Sequence, residues 1–389
     1  MLSERFAPDL GGVARSAART AEAIAKLGWH VHVVAWTKTL PPGTLETSDS
    51  SDGAVDVTVH RIGLFANWDY SLQHTTNVLN WLHEQFTFNA VWGHYLFPAG
   101  YMAVLFAKSC RLPSTVSARG NDVDRLMFPP GDFARLLWTV QQADVVSSVS
   151  QDLAAKIRVL APEVDVEVLP NVVDATLFRP SIIADDSPLK EQLGIHQDEA
   201  VLGFCGELRH KKGLPFLLSA LAEVRADRPA CLLVIGVIRP RERAHLATFA
   251  AEHPEAAERI LVTGHLDNPT DIVHRIQLCD VILQPSVWDG LPNSVLEAMA
   301  CGQIVIASDA GGIPEAIDHG QDGFMIPIAH LGKLGTAVLD VLNMNDAKRR
   351  QIRTAARTSI LERFQEAAEA ARLKPLLEGL LSGSFSNDS

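Results

Sequence analysis

The stretch PSVWDGLPNSVLEAMACGQIVIASDAGGIPE, Pro285 to Glu315, decides how this chain is read. Two carboxylates, Asp289 and Glu297, stand eight positions apart around a Gly-Leu-Pro-Asn turn. An apolar helical run follows, Val295 to Ala300, then a small-residue turn at Cys301-Gly302 and a strand-like Ile304 to Ala307. The glycine pair Gly311-Gly312 and Ile313-Pro314-Glu315 close the stretch. Pro292 suits a first helical turn, where a missing N–H costs little, and Asn293 or Ser294 is expected to cap it. The pattern predicts a loop feeding a helix whose free N–H groups attract phosphate. Glu297, in the first turns, is placed to accept hydrogen bonds from hydroxyls on the phosphate's carrier. A solvated glutamate on an ordinary helix is the plain alternative.

Working outward, the strand Val201 to Cys205 runs into Gly206-Glu207-Leu208-Arg209-His210-Lys211-Lys212-Gly213. Cations just past a strand end suit a diphosphate: arginine offers a fork of donors and lysine a movable point charge. Near the start, Gly11-Gly12 precedes a helical pattern at Val13 to Leu27, allowing close backbone approach to a ligand or simply a packing turn. His94 stands past a buried strand in Gly93-His94-Tyr95, and Arg119-Gly120-Asn121-Asp122 follows the strand Ser114 to Ala118.

Taken in order and spacing, these motifs strongly resemble the retaining glycosyltransferases of family four, which have the GT-B architecture. Their paired-acid element appears here as Asp289 and Glu297 with seven residues between. The resemblance implies an α/β protein with two Rossmann-like, doubly wound domains facing a central cleft. Boundaries are expected at 1–178 for an acceptor-binding domain and 179–364 for the nucleotide-sugar domain. Residues 365–389 are expected to form a helix returning to the first domain plus a disordered tail.

The resemblance also distributes roles. Lys212 and Arg209 would hold the donor diphosphate, with Gly206, Leu291, Pro292, Asn293, Ser294, Gly11 and Gly12 around it. Glu297 would bind the ribose, and Asp289 would lie beside the sugar. His94, Arg119, Gly120 and Asp122 would line the acceptor side. Three residues depart from the family pattern: Glu207 stands where an arginine is usual, Arg119 where a histidine is usual, and Asp289 is one methylene short of the usual glutamate. Arg119 cannot serve as a base at neutral pH but can hold a phosphate or a carboxylate, so an anionic acceptor is expected.

The implied function is transfer of a sugar from a UDP- or GDP-sugar to a hydroxyl, with retention and without a metal or other cofactor. The acceptor would be a glycan, a lipid-linked group or a small molecule. The Asp122-Val123-Asp124 triplet is discounted as a metal grip, since Asp122 already belongs to the loop motif. Paired-carboxylate hydrolysis does not need the phosphate loop, and no G-x-G-x-x-G supports a dehydrogenase. The rival from another class is a non-catalytic subunit that binds nucleotide or serves as partner of a glycosyltransferase, which the three departures favour and Lys212 and Glu297 oppose.

Composition agrees with two globular domains: 389 residues, 47% hydrophobic and 21% charged. A net charge of −12 argues against nucleic acid as the main partner. Five scattered cysteines lack metal-ligand spacing and are expected as buried free thiols in a reducing compartment. MLSERFAPDL carries no apolar leader, so a cytoplasmic protein is expected, with peripheral contact at the inner membrane face as a further expectation. Only Met1-Leu2-Ser3 precedes the first helix where a buried strand is expected, so a first strand cut short is anticipated. Thr39 to Gly53 reads as a polar loop.

Overall fold

Apolar strands alternate with helices throughout the chain, and the computed structural model assembles them into two units. It describes residues 1–9, 11–49, 56–120, 122–123, 130–181 and 186–382. Unit 1 is Met1–Asn171 with Glu366–Ser389, and unit 2 is Val172–Gln365. The change of unit falls at 171/172 rather than at 178. Val173 explains why: its N–H donates to the Phe364 carbonyl at 2.8 Å, and it bridges to Gln365.

Unit 1 has eight strands among the described residues: β1 (Leu2–Ser3), β2 (Val31–Thr37), β3 (Leu45–Asp49), β4 (Val57–Gly63), β5 (Val91–His94), β6 (Ser114–Ala118), β7 (Val145–Ser148) and β8 (Val166–Val168). Their order is β3-β4-β2-β1-β5-β6-β7-β8. All neighbours run parallel except β3 and β4. The two residues of β1 lie mid-sheet, Leu2 opposite both Val34 and Gly93. The expected loop at Thr39 to Gly53 instead contains β3. Its sequence LETSD is exposed almost throughout, so this antiparallel edge strand has no apolar face for the sequence to reveal.

The helix Glu366–Ser382 belongs to this unit for a plain reason. Leu373, Leu376, Leu377 and Leu380 are buried in one cluster with Ala17, Ala21 and Ile24 of the first helix and Val31 and Val33 of β2. Each buried leucine contributes roughly 1.5–3 kcal/mol. Lys26–Glu366, at 3.4 Å, is an exposed pair and adds little.

Unit 2 has six strands among the described residues: β9 (Ala200–Cys205), β10 (Ala230–Ile235), β11 (Ile260–Val262), β12 (Val281–Gln284), β13 (Val305–Ser308) and β14 (Phe324–Ile326). The order β11-β10-β9-β12-β13-β14 is parallel throughout. Strands buried on both faces must be continuously apolar, and β10 (ACLLVI) is buried at every residue. The order reverses between β9 and β12, and at such a switch point the loops after the two strands diverge and open a crevice.

All five cysteines are free; four are buried, and burial pushes the Cys231 and Cys301 thiols up to about 12. No described helix is long and apolar enough to cross a membrane. The expected disordered tail, 383–389, lies outside the described residues, as do Asn121 and Asp124 of the sequence motifs.

Candidate functional site

The loops leaving β9 and β12 meet at the switch point of unit 2. The Val287 N–H donates to the Lys211 carbonyl at 2.8 Å, and the Lys211 ammonium lies 5.8 Å from the centre of the Trp288 ring. One residue on, the Lys212 ammonium donates to Asp289 Oδ2 in a short, largely buried ion pair. Asp289 Oδ2 also accepts from Ser286 Oγ at 3.2 Å, and Oδ1 accepts from the Gly290 N–H at 3.1 Å. Burial pushes the Asp289 carboxyl up, but Lys212, Lys211 and the Ser286 hydroxyl outweigh it and hold the group below the usual carboxylate range.

Gly311 explains the glycine pair in the same stretch. A Cβ there would fall 1.9 Å from the Asp289 carbonyl oxygen, so only glycine lets the two turns touch. The Gly312 N–H then donates to the Gly290 carbonyl at 2.9 Å, fixing the turn that carries Asp289.

Arg209 stands 3.8 Å from Glu207 through Nη1, and its buried Nε makes no hydrogen bond. Burial and then Arg239 lower its pKa; Glu207 and Asp289 oppose that shift. Glu207 is held tightly by Arg239, whose Nε donates to Oε1 at 2.6 Å. The usual arginine position is thus a carboxylate here, with two guanidiniums on it. Arg239 sits in the loop after β10, where no sequence signal tied it to the site.

Helix Asn293–Ala300 has Pro292 at the N-cap, so the two expected caps, Asn293 and Ser294, are its first residues instead. No side chain caps it. Asn293 Oδ1 is buried without a partner, and Ser294 Oγ donates instead to Gln284 Oε1 at 3.1 Å. The first-turn N–H groups therefore keep no side-chain acceptor. Glu297 is buried on this helix, 5% exposed, and Leu291 is buried just before it. Lys212, Arg209 and Asp289 are brought together, then, with the helix start four positions after Asp289.

Unit 1 carries the other predicted residues. Gly11 has φ +119°, and neither Gly11 nor Gly12 would place a Cβ within 4 Å of any atom. The backbone there faces open space. Helix Gly12–Lys26 follows and supplies Ser16, whose Oγ lies 2.9 Å from His94 Nε2. Ser16 donates its own proton to the Val13 carbonyl at 3.1 Å, so it accepts from His94. That assigns the proton to Nε2 and leaves Nδ1 a lone-pair acceptor, buried and without a partner. Burial, Arg119 and Arg19 hold the His94 pKa well below its ordinary value, so the ring is neutral at pH 7.

Arg119 Nη2 donates to Asn171 Oδ1 at 2.6 Å, and Nη1 reaches Ser117 Oγ at 3.4 Å. Arg19 shares the same Asn171 oxygen at 3.4 Å and pairs with Glu369 at 3.2 and 3.3 Å. Burial and the nearby Arg19 push Arg119 down to about 9, still charged at neutral pH. Asp122 spends its oxygens on the backbone N–H groups of Leu96, Arg119 and Gly120 at 2.8–3.2 Å. It acts as a staple for the turn that aims Arg119. Ser16, Arg19, Asn171 and Glu369 were not legible as site residues. Ser16 and Arg19 lie three positions apart on one helix, but Glu369 lies 350 positions from Arg19 and gives no local signal.

Among the described residues no group of three or more His, Cys, Asp or Glu side chains could hold a metal ion.

Comparison with known proteins matches this frame. The family description "Glycosyl transferases group 1" fits residues 185–359, and "Glycosyl transferase 4-like domain" fits residues 11–172. N-acetyl-alpha-D-glucosaminyl L-malate synthase from Bacillus anthracis is 25% identical over 313 residues, covering 80% of this chain and 79% of its own. Sucrose-phosphate synthase from Thermosynechococcus elongatus superposes with TM-score 0.80 at 18% identity, over 98% of this chain and 96% of its own. HepE from Anabaena, solved with UDP-glucose, superposes with TM-score 0.77 at 18% identity, over 97% and 98% of the two chains. With both halves matched in sequence and the architecture shared in structure, the chain belongs to the family-four glycosyltransferases of GT-B fold.

Proposed function

We propose that the protein is a metal-independent, retaining glycosyltransferase that moves a sugar from a nucleoside-diphosphate sugar, with UDP or GDP as the nucleotide, to a hydroxyl of an anionic acceptor. The observation that carries this reading is the meeting of Lys212, Arg209 and Asp289 beside an uncapped helix start. As the bond from sugar C1 to the diphosphate oxygen breaks, the electron pair leaves on the phosphate. Lys212, Arg209 and the first-turn N–H groups supply fixed positive charge where that negative charge grows, the task a divalent cation performs elsewhere. The acceptor oxygen forms the new bond to C1, and its proton departs toward the leaving phosphate. Asp289 lies beside the sugar and orients it; Glu297 takes the ribose hydroxyls.

Support for a nucleotide-sugar donor comes from the UDP-glucose complex of the Anabaena relative. Support for an anionic acceptor comes from Arg119, a charged guanidinium where the family has histidine, and from the malate-bearing product in the Bacillus relative's name. His94 Nδ1, the lone-pair acceptor, suits a sugar or acceptor hydroxyl.

The test is binding by thermal shift and calorimetry across UDP, GDP, ADP and their sugars, with and without EDTA. Stabilisation by one nucleotide sugar, undiminished in EDTA, is the expected result. Stabilisation that EDTA abolishes would sink metal independence, and none from any nucleotide would favour a non-catalytic partner subunit.

A further inference from the structure

Asp289 is held by more than its lysine. Three side chains form a directed chain into its carboxylate. Ser294 Oγ donates to Gln284 Oε1 at 3.1 Å, Gln284 Nε2 donates to Ser286 Oγ at 2.9 Å, and Ser286 Oγ donates to Asp289 Oδ2 at 3.2 Å. A hydroxyl has one proton to give. The amide N–H entering Ser286 Oγ therefore commits that proton to Asp289.

Gln284 is the last residue of β12 and 1% exposed; Ser286 is fully buried. A glutamine in such a place is costly to desolvate unless its amide is used at both ends. Here both ends are used, and both lead to the site. Ser308 Oγ donates to the Ser286 carbonyl at 2.5 Å and fixes the backbone at the middle of the chain. The first link, Ser294, lies in the opening turn of helix Asn293–Ala300.

We propose that Gln284 is a positioning residue for sugar transfer: by ordering Ser286 it sets the orientation of the Asp289 carboxylate and ties it to the helix start that receives the diphosphate. This rests on the reading that Asp289 faces the donor sugar. An aspartate is a methylene shorter than the usual glutamate, so its reach depends more on how it is held. An apolar residue at 284 would leave Ser286 free to turn its proton elsewhere, and Asp289 Oδ2 would then be held by Lys212 alone.

The experiment compares wild type, Gln284→Leu, Gln284→Glu and Asp289→Ala as full chains. The substrate is whichever of UDP-glucose, GDP-mannose and ADP-glucose stabilises the protein. Turnover is read as nucleoside diphosphate released, and the Kd of the matching diphosphate alone is read by calorimetry. Gln284→Leu should lower kcat about tenfold to a hundredfold while the diphosphate Kd stays within about twofold, a split that simple loss of packing would not give. Gln284→Glu should be active at low pH, where the new carboxyl is protonated and isosteric with the amide. It should lose activity as that carboxyl ionises and draws the Ser286 proton away from Asp289. This variant also serves if Gln284→Leu fails to fold. A kcat within twofold of wild type for Gln284→Leu, a Kd that weakens in step with kcat, or a pH profile for Gln284→Glu that matches wild type overturns the proposal. Full turnover by Asp289→Ala, or no stabilisation by any nucleotide sugar, overturns the reading beneath it as well. An inactive Asp289→Ala beside a normal Gln284→Leu overturns this inference alone.

Discussion

The two units hold their charged residues in opposite ways. In unit 2 the key groups face one another as ions: Lys212 neutralises Asp289, and Arg239 and Arg209 share Glu207. In unit 1 Arg19 pairs with Glu369, but the three groups predicted to line the site are held by neutral partners or backbone. Arg119 lies on an amide oxygen and a hydroxyl, Asp122 on backbone N–H groups, and His94 on a serine. In an ion pair an incoming anion can take the carboxylate's place on the cation, at the cost of leaving that carboxylate to its remaining partners. A charge fixed by neutral dipoles keeps its full demand for a counter-ion. The difference fits the roles proposed for them, a diphosphate site in unit 2 and an anionic-acceptor site in unit 1.

The largest effect should come from breaking the unit 2 pair. Lys212→Ala is expected to cut donor turnover about a hundredfold to a thousandfold, the scale of losing one fixed donor to a developing oxyanion. Turnover within tenfold of wild type would mean that Lys212 only balances Asp289. Asp289→Asn should divide the roles more finely. Transfer should fall about a hundredfold, while calorimetry should show the nucleoside diphosphate bound at least as tightly, because Lys212 no longer has a competing carboxylate. Weaker diphosphate binding would show that the pair organises the site instead of competing within it.

In unit 1, Arg119→Ala should raise KM about tenfold for a phosphorylated or carboxylated acceptor and leave a neutral analogue unchanged. Equal effects on both acceptors would make Arg119 structural. The smallest effects should be on acid stability, where the two units separate by pH. His94 has a depressed pKa, so the unfolded chain binds the extra proton first. Its contribution is lost as pH falls below the ordinary 6.5. Asp289 is also depressed, but from 3.8, so its contribution persists until pH drops through the usual carboxylate range and below. Melting curves of His94→Gln and Asp289→Asn against wild type should therefore converge with wild type at different pH. Convergence of both near the same pH would break the comparison.

Much of this was legible because strand patterns and turn chemistry are local. β6, β7, β10 and β12 occupy the positions their apolar runs indicate, and the two loops bearing Lys212 and Asp289 were placed by the strands before them. The Pro285 to Glu315 stretch was legible as a site because a helix start, an acid pair and a glycine contact each leave a signature within a few residues. What stayed hidden is set by contact across the sequence. Ser294 reads as a helix cap, yet its hydroxyl goes to Gln284, ten positions earlier on a neighbouring strand. Glu207 reads as a damaged diphosphate loop until Arg239, 32 positions on, appears against it. The strand β3 was hidden for the opposite reason, since an exposed edge needs no apolar pattern.

The return of Glu366–Ser382 to unit 1 has a consequence for the order of synthesis. Unit 2 is one continuous segment, complete once Gln365 has been made. Unit 1 lacks four core leucines, Leu373 to Leu380, until nearly the whole described chain has been made. The usual vectorial order, first domain first, is therefore reversed here: the inserted unit closes while the earlier one waits on the last helix. Protease digestion of ribosome-bound chains halted at successive lengths would display it as resistance appearing in 172–365 before 1–171, and the reverse sequence would refute it.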